Sequence, residues 1–161
     1  YCTWPLFSQT LLLMLMFIGA CAGSTSGGIK VSRFILYIKM MKKELAFQLH
    51  PHSIKKVKMD ERTVEHEVLR SANGFLLVYL LIGIVSLILV SLDDFDFVTS
   101  FSSVAACLND IGPGLGMVGP TGNYAEFSIL SKYVLMFDML AGRLEMIPMM
   151  LLLTPATWRR Q

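Results

Sequence analysis

Charge is scarce in this chain, and where it is missing matters more than the total. Only 16% of the 161 residues are charged, residues 74–92 contain no charged residue at all, and residues 91–131 contain no base. The three cysteines, Cys2, Cys21 and Cys107, form no Cys-x-x-Cys pair, and His50 and His52 flank Pro51 in a polar stretch. A zinc site or a disulfide framework has no ligand pattern to rest on, and the cysteines read as structural thiols. Within the later apolar segments the ionisable groups are Asp138, Arg143 and Glu145. They supply no nucleophile with its base, which argues against an enzyme working inside a membrane.

What is present is apolar. Hydrophobic residues make up 54% of the chain and methionine occurs 11 times, well outside the composition of an ordinary soluble domain. The uncharged run at 74–92 has about the 20 residues that a helix needs to cross ~30 Å of hydrocarbon. Residues 31–41 and 133–154 are also long and apolar but carry Arg33, Lys39, Asp138, Arg143 and Glu145. They are expected to span only with those charges buried, paired or snorkelling. Residues 4–17 and 97–108 are helix-like and too short to cross, and each is followed by a glycine turn. These two read as half-way helices.

The turns are the chain's main signal. Residues 19–28 read Gly-Ala-Cys-Ala-Gly-Ser-Thr-Ser-Gly-Gly, residues 109–116 read Asn-Asp-Ile-Gly-Pro-Gly-Leu-Gly, and residues 112–122 hold five glycines and two prolines. Irregular backbone at membrane depth survives only where protein buries it or a water-filled path runs beside it, because each unpaired N–H or C=O costs several kcal/mol. Glycine reaches positive φ cheaply, so successive carbonyls can point at one axis and replace a cation's hydration shell. A preceding half-helix would aim its negative C-terminal end the same way. Lys30 after Gly23-Ser-Thr-Ser-Gly-Gly28 does not make a phosphate cradle, since Ile29 stands between the last glycine and the lysine and Val31 follows.

Residues 39–70 contain eight Lys or Arg against five acids, and Arg159 and Arg160 close the chain. By the positive-inside rule both regions are expected on the cytoplasmic side. The acids Asp93, Asp94, Asp96, Asp110 and Glu126 then fall on the outer side, where they either concentrate cations or solvate a loop. Residues 55–70 mix charges with Val57, Val64, Val68 and Leu69 at helical spacing, which predicts a short connecting helix. Lys30 and Arg33 share a helix face, where they snorkel or pair with an acid. The methionines read as packing in helix interfaces. Tyr1 opens no signal peptide, and the order of segments suggests a C-terminal piece of a longer protein.

Three strings carry a resemblance: Cys21-Ala-Gly-Ser-Thr-Ser-Gly-Gly-Ile-Lys30, Leu108-Asn-Asp-Ile-Gly-Pro-Gly-Leu-Gly116 with Gly119-Pro120 behind it, and Gly142-Arg-Leu-Glu145. In this order and at these separations they resemble the Trk/Ktr/HKT potassium uptake family, most closely its TrkH-type membrane subunits, over nearly the whole chain. The fold this implies is an all-α integral membrane protein of potassium-channel-like repeats, each a transmembrane helix, a re-entrant pore helix, a filter loop and a second transmembrane helix. Residues 1–49 would be the second half of repeat three, 50–70 a cytoplasmic connector, and 71–161 repeat four. The resemblance puts the filter glycines at Gly23 and Gly112, with carbonyls of Cys21, Ala22, Asn109, Asp110 and Ile111 as neighbouring ligands for transported potassium. No resident cofactor is implied. Asp110 stands where an uncharged residue such as asparagine is more usual, and it either pairs locally or strengthens cation binding.

Arg143 is the most informative single charge, since a mid-span arginine costs roughly 2.5 to 3.5 kcal/mol unless it faces protein or water. The residues alone leave it as an ion pair with Glu145 or Asp138, or as a functional group. The resemblance implies a gating role, with Arg143 beneath the filter facing an irregular stretch of the third repeat's second span, within residues 34–49. It also implies a homodimer, a cytosolic TrkA-type nucleotide-binding regulatory subunit, a bacterial inner membrane location with several passes, and a cytoplasmic C-terminus. No nucleic-acid partner is expected. The competing expectation is a sodium-permeable or Na⁺/H⁺-coupled symporter of the same family. The resemblance implies that serine at a filter glycine goes with sodium permeation, chiefly in the first repeat, which these residues do not include, so glycine at both Gly23 and Gly112 lends potassium only slight support.

Overall fold

The computed structural model describes residues 4–21, 23–24, 27–49, 58–59, 62–64 and 66–143. Five α-helices carry the fold: α1 (Leu6–Met16), α2 (Val31–Leu49), α3 (His66–Val90), α4 (Phe97–Leu108) and α5 (Ile129–Arg143). Between α2 and α3 lies a small antiparallel pair, β1 (Lys58–Met59) and β2 (Arg62–Thr63). That pair corrects the expectation of a connecting helix over 55–70, which begins only at His66. Lys58 pairs with Thr63 and Met59 with Arg62, whereas charged residues with few apolar partners give a helix there little to pack against.

Among the described residues, one segment, Glu67–Asp93, is long and apolar enough to cross a membrane. Its helix α3 has 25 residues, about 38 Å at 1.5 Å per residue. One face is buried, through Phe75, Tyr79, Ser86 and Val90, while Leu77, Leu80, Leu81, Ile84 and Ile88 stay exposed. An apolar exposed face is what lipid or further membrane helices would cover. The short helices α1 and α4 match the two expected half-way segments. At 12 residues, α4 reaches only about 18 Å, too little to traverse the ~30 Å core.

α4 is the centre of the packing. Nine of its 12 residues are buried, because α3 and α5 close on it from either side. One cluster joins Val90, Val104, Cys107, Val118, Phe127 and Leu135, and a second joins Phe75, Tyr79, Leu108 and Ala141. Close approach rather than bulk sets this interface, as membrane helix pairs require where lipid competes for apolar contact. Gly142 shows how close: a Cβ there would fall inside the Leu108 carbonyl. Ala141 beside it is fully buried.

α2 is an unbroken helix, which corrects the expected irregular stretch within residues 34–49. The sequence accounts for it, since residues 31–49 include neither glycine nor proline and are rich in residues that keep rotamer freedom in a helix. α2 leans on the start of α3 through Leu36, Leu69 and Ala72, and the Tyr37 hydroxyl donates to the Ala72 carbonyl at 2.6 Å. Cys2, Ala22, Glu145, Arg159, Arg160, much of the 50–70 connector and the part of the 133–154 span beyond Arg143 lie outside the described residues.

Candidate functional site

Each glycine turn follows the C-terminus of a half-way helix, and each is pinned by its own hydrogen bonds. The first turn leaves α1 and returns alongside itself: Ile18 and Ile29 form a parallel bridge, Gly19 N–H donates to the Ile29 carbonyl at 2.9 Å, and Val31 N–H donates to the Ala20 carbonyl at 3.2 Å. Gly23 and Gly28 have φ of +88° and +79°, a region that only glycine enters freely. Cys21 is exposed, with its carbonyl accepting from Ser24 N–H at 3.1 Å. Ala22 lies outside the described residues.

The second turn is laced to the helix before it. The N–H groups of Asp110, Ile111 and Gly112 point back at α4, reaching the carbonyls of Cys107 at 3.1 Å and Ala106 at 2.9 and 3.4 Å. Beyond Gly112 the chain runs back along α4. There Leu115 N–H donates to the Ser102 hydroxyl at 2.8 Å, and Met117 N–H donates to the Thr99 hydroxyl at 3.3 Å. Tyr124 closes the loop by donating to the Gly112 carbonyl at 2.7 Å. Among the described residues, the carbonyls of Asn109, Asp110 and Ile111 accept no hydrogen bond.

Asp110 occupies a left-handed conformation, φ +60°, and Gly112 another at +96°. After glycine, asparagine and aspartate tolerate that region best, through local hydrogen bonding of a short polar side chain. Aspartate therefore suits this position for the same backbone reason that asparagine would. The carboxylate also has a partner: Arg143 Nη1 donates to Asp110 Oδ2 at 3.2 Å, with the aspartate side chain 13% exposed and the arginine 64%. Of the two alternatives for Asp110, pairing is what the structure contains, and among the described residues the partner of Arg143 is Asp110 rather than Asp138. Asp138 is fully buried, and its Oδ1 accepts from the Ser86 hydroxyl at 2.6 Å, joining α5 to α3. Its Oδ2 has no partner among the described residues.

The two turns touch. Gly27 lies against Asn109 and Asp110, where a Cβ would meet the Asn109 carbonyl oxygen at 2.9 Å, and Gly28 lies against the Asn109 side chain, where a Cβ would meet Oδ1 at 2.7 Å. Of the predicted site residues, Asn109, Asp110, Ile111 and Gly112 thus share one turn, which Arg143 reaches from the end of α5 and which Gly27 and Gly28 touch from the other turn, whereas nothing lies within 4 Å of where a Cβ of Gly23 would stand. Arg33 takes another route, its guanidinium lying 4.0 Å from the centre of the Phe75 ring.

Residues 1–159 match the family described as TrkH, cation transport protein. The chain belongs to that family. It is 41% identical over 156 residues to "Trk system potassium uptake protein TrkH" of Salmonella typhimurium, covering 97% of this chain and 32% of that protein. It is 33% identical over 159 residues to "Trk system potassium uptake protein TrkG" of Escherichia coli, again covering 32% of the relative. The crystal structure of the potassium transporter TrkH from Vibrio parahaemolyticus superposes with a TM-score of 0.84 at 39% identity, over 97% of this chain and 33% of that one. The chain therefore spans about a third of the length of the TrkH relatives it matches. Its all-helical membrane architecture, apart from the two-residue strands, is that of the TrkH fold.

The site contains groups that sequence reading missed. Tyr79 donates to Asn109 Oδ1 at 2.8 Å, and Tyr124 fixes the Gly112 carbonyl. Tyr79 and Ser86 were visible as polar groups in an uncharged run, seven residues apart and so on one helix face. The spacing of Tyr124 carried no such signal.

Proposed function

We propose that this chain forms one side of a potassium path in a transporter of its relatives' full length, as the second half of a third pore repeat (residues 1–49), a cytoplasmic connector (50–70) and a fourth repeat (71–161). Potassium would move down its electrochemical gradient, held by backbone oxygens of the two turns. The observation that carries this reading is the row of three carbonyls, Asn109, Asp110 and Ile111, that accept no hydrogen bond among the described residues. At membrane depth an unpaired carbonyl costs several kcal/mol unless water or an ion meets it. Its neighbours in the third repeat are Cys21, Ala22 and Gly23. The Gly112 carbonyl, fastened by Tyr124, keeps a second lone pair for an ion.

Arg143 acts in this reading at the inner edge of the path, where its pairing with Asp110 joins the end of α5 to the filter turn. The names of the relatives, Trk system potassium uptake proteins, support potassium as the transported ion. The family resemblance supports the bacterial plasma membrane as location, a cytoplasmic C-terminus, a homodimer, and a cytosolic TrkA-type nucleotide-binding subunit as partner.

The test is ⁸⁶Rb⁺ uptake by the full-length parent in cells that lack their own potassium uptake, with and without excess Na⁺, comparing wild type with Gly112→Ser at matched membrane amounts. Serine at φ +96° is strained by ~1 to 2 kcal/mol, so the turn must reshape. Wild-type uptake that resists Na⁺, with at least a ten-fold loss or a relaxed preference in the variant, is the expected result. Identical transport by the variant would remove this turn from the ion path.

A further inference from the structure

Tyr79 sits in the middle of the helix α3, away from both glycine turns in sequence, yet its hydroxyl ends at the place where the turns meet. It is 3% exposed, as is Asn109. The hydroxyl donates to Asn109 Oδ1 at 2.8 Å, and Asn109 Nδ2 donates to the Ala105 carbonyl at 2.7 Å, so both ends of the amide are held. The oxygen end of that amide is also the bearing surface for the other turn. Gly28, at φ +79°, lies so close that a Cβ would come within 2.7 Å of the same Oδ1. The Asn109 side chain is thus a spacer clamped between α3 and the third-repeat turn. Tyr79 itself is braced by Phe75, with ring centroids 6.1 Å apart and planes at 27°, and Phe75 in turn carries the Arg33 guanidinium of α2.

We infer that Tyr79 is a positioning residue for ion selection: by fixing the Asn109 amide against Gly28 it sets the separation of the third and fourth filter turns. This rests on the potassium path proposed above. The physical argument is one of satisfaction. Without the Tyr79 hydroxyl, Asn109 Oδ1 is a buried acceptor with no donor, a state costly enough that the amide turns away to find one. The spacer then shortens or tilts, and Gly28, which has no side chain of its own to fill the gap, follows it. Carbonyls on the two turns no longer hold the distance that suits one cation size over another.

The experiment uses the full-length transporter in potassium-uptake-deficient cells, measuring ⁸⁶Rb⁺ uptake against rising Na⁺ for wild type, Tyr79→Phe, Asn109→Ala and the double variant, each normalised to membrane amount. Tyr79→Phe keeps the ring and its stacking on Phe75. It is expected to reach the membrane at wild-type level, to raise the KM for Rb⁺ several-fold, and to lower the Na⁺ concentration that halves uptake by about five-fold. The double variant is expected to match Asn109→Ala, because both changes act through one amide. Tyr79→Phe with wild-type KM and Na⁺ sensitivity overturns the inference and leaves the potassium path standing. Reduced amount or heat stability with unchanged selectivity in the surviving protein overturns it too, since that is what a merely structural tyrosine would give. If Asn109→Ala does not reach the membrane, Tyr79→Phe alone decides. Absence of Rb⁺ uptake by wild type brings down the path and the inference together.

Discussion

At the scale of single residues, the Arg143–Asp110 pair is where sequence and structure part company most usefully. That Arg143 needed a reason was legible from its place in an apolar segment. Its partner was not, because the two lie 33 positions apart and meet only where Gly142 lets the end of α5 press on the Leu108 carbonyl. The same holds for Asp138, whose partner Ser86 is 52 residues away on another helix. The pair predicts opposite effects for its two members. On the proposed reading, Arg143→Ala removes a cation from beside the ion path and leaves Asp110 negative, so uptake by the full-length protein is expected to rise. Asp110→Asn leaves the arginine uncompensated, so uptake is expected to fall. Each change should be about three- to ten-fold, in keeping with ~1 kcal/mol for a largely exposed pair. Equal losses in both variants at matched surface amounts would mean that the pair only holds the fold together.

At the scale of elements, length and glycine placement foretold the two half-way helices and the spanning helix α3, because those signals are local. α4 begins at Phe97, where the expected half-way segment began, and the structure shows Asp96 as its N-cap, its carboxylate accepting from Thr99 N–H at 3.2 Å and from the Thr99 hydroxyl. The hydroxyl bond, with the backbone donors beside it, holds the Asp96 carboxyl below its ordinary value of 3.8. A lowered carboxyl stabilises the fold fully above that ordinary value, and the contribution drains away as pH falls through the lower folded value. Asp96→Ala is therefore expected to cost about 1 kcal/mol at pH 7, read as a lower melting temperature of the full-length protein in detergent. The gap between variant and wild type should stay constant down to about pH 4 and narrow below it. A gap that is the same at pH 3 as at pH 7 would show that the charge does not matter to the cap. What sequence reading got wrong at this scale was α2 and the connector. An irregular stretch was expected in α2 from resemblance, yet nothing in residues 31–49 breaks a helix. The small strand pair lay hidden because charged residues at mixed spacing do not distinguish a hairpin from a helix.

At the scale of the molecule, the chain presents one assembled surface and several unassembled ones. α1 has no buried residue, and Leu6, Phe7, Leu11, Met14 and Leu15 stand exposed along it. The chain spans about a third of the length of its TrkH relatives. The adjoining of the two glycine turns was not legible in the sequence, which set them about 85 residues apart; it is fixed by Asn109 wedging between α3 and Gly28. The central claim, that the unpaired carbonyls of these turns bind the transported ion, can be tested by direct observation. The full-length transporter would be crystallised in Rb⁺ and its anomalous scattering measured at the rubidium edge. The account predicts a peak within about 3 Å of the carbonyl oxygens of Asn109, Asp110 or Ile111, facing the Gly23 turn and lost when Rb⁺ is replaced by Na⁺. Well-ordered turns with water or side-chain donors on those carbonyls, and no rubidium beside them, would contradict it.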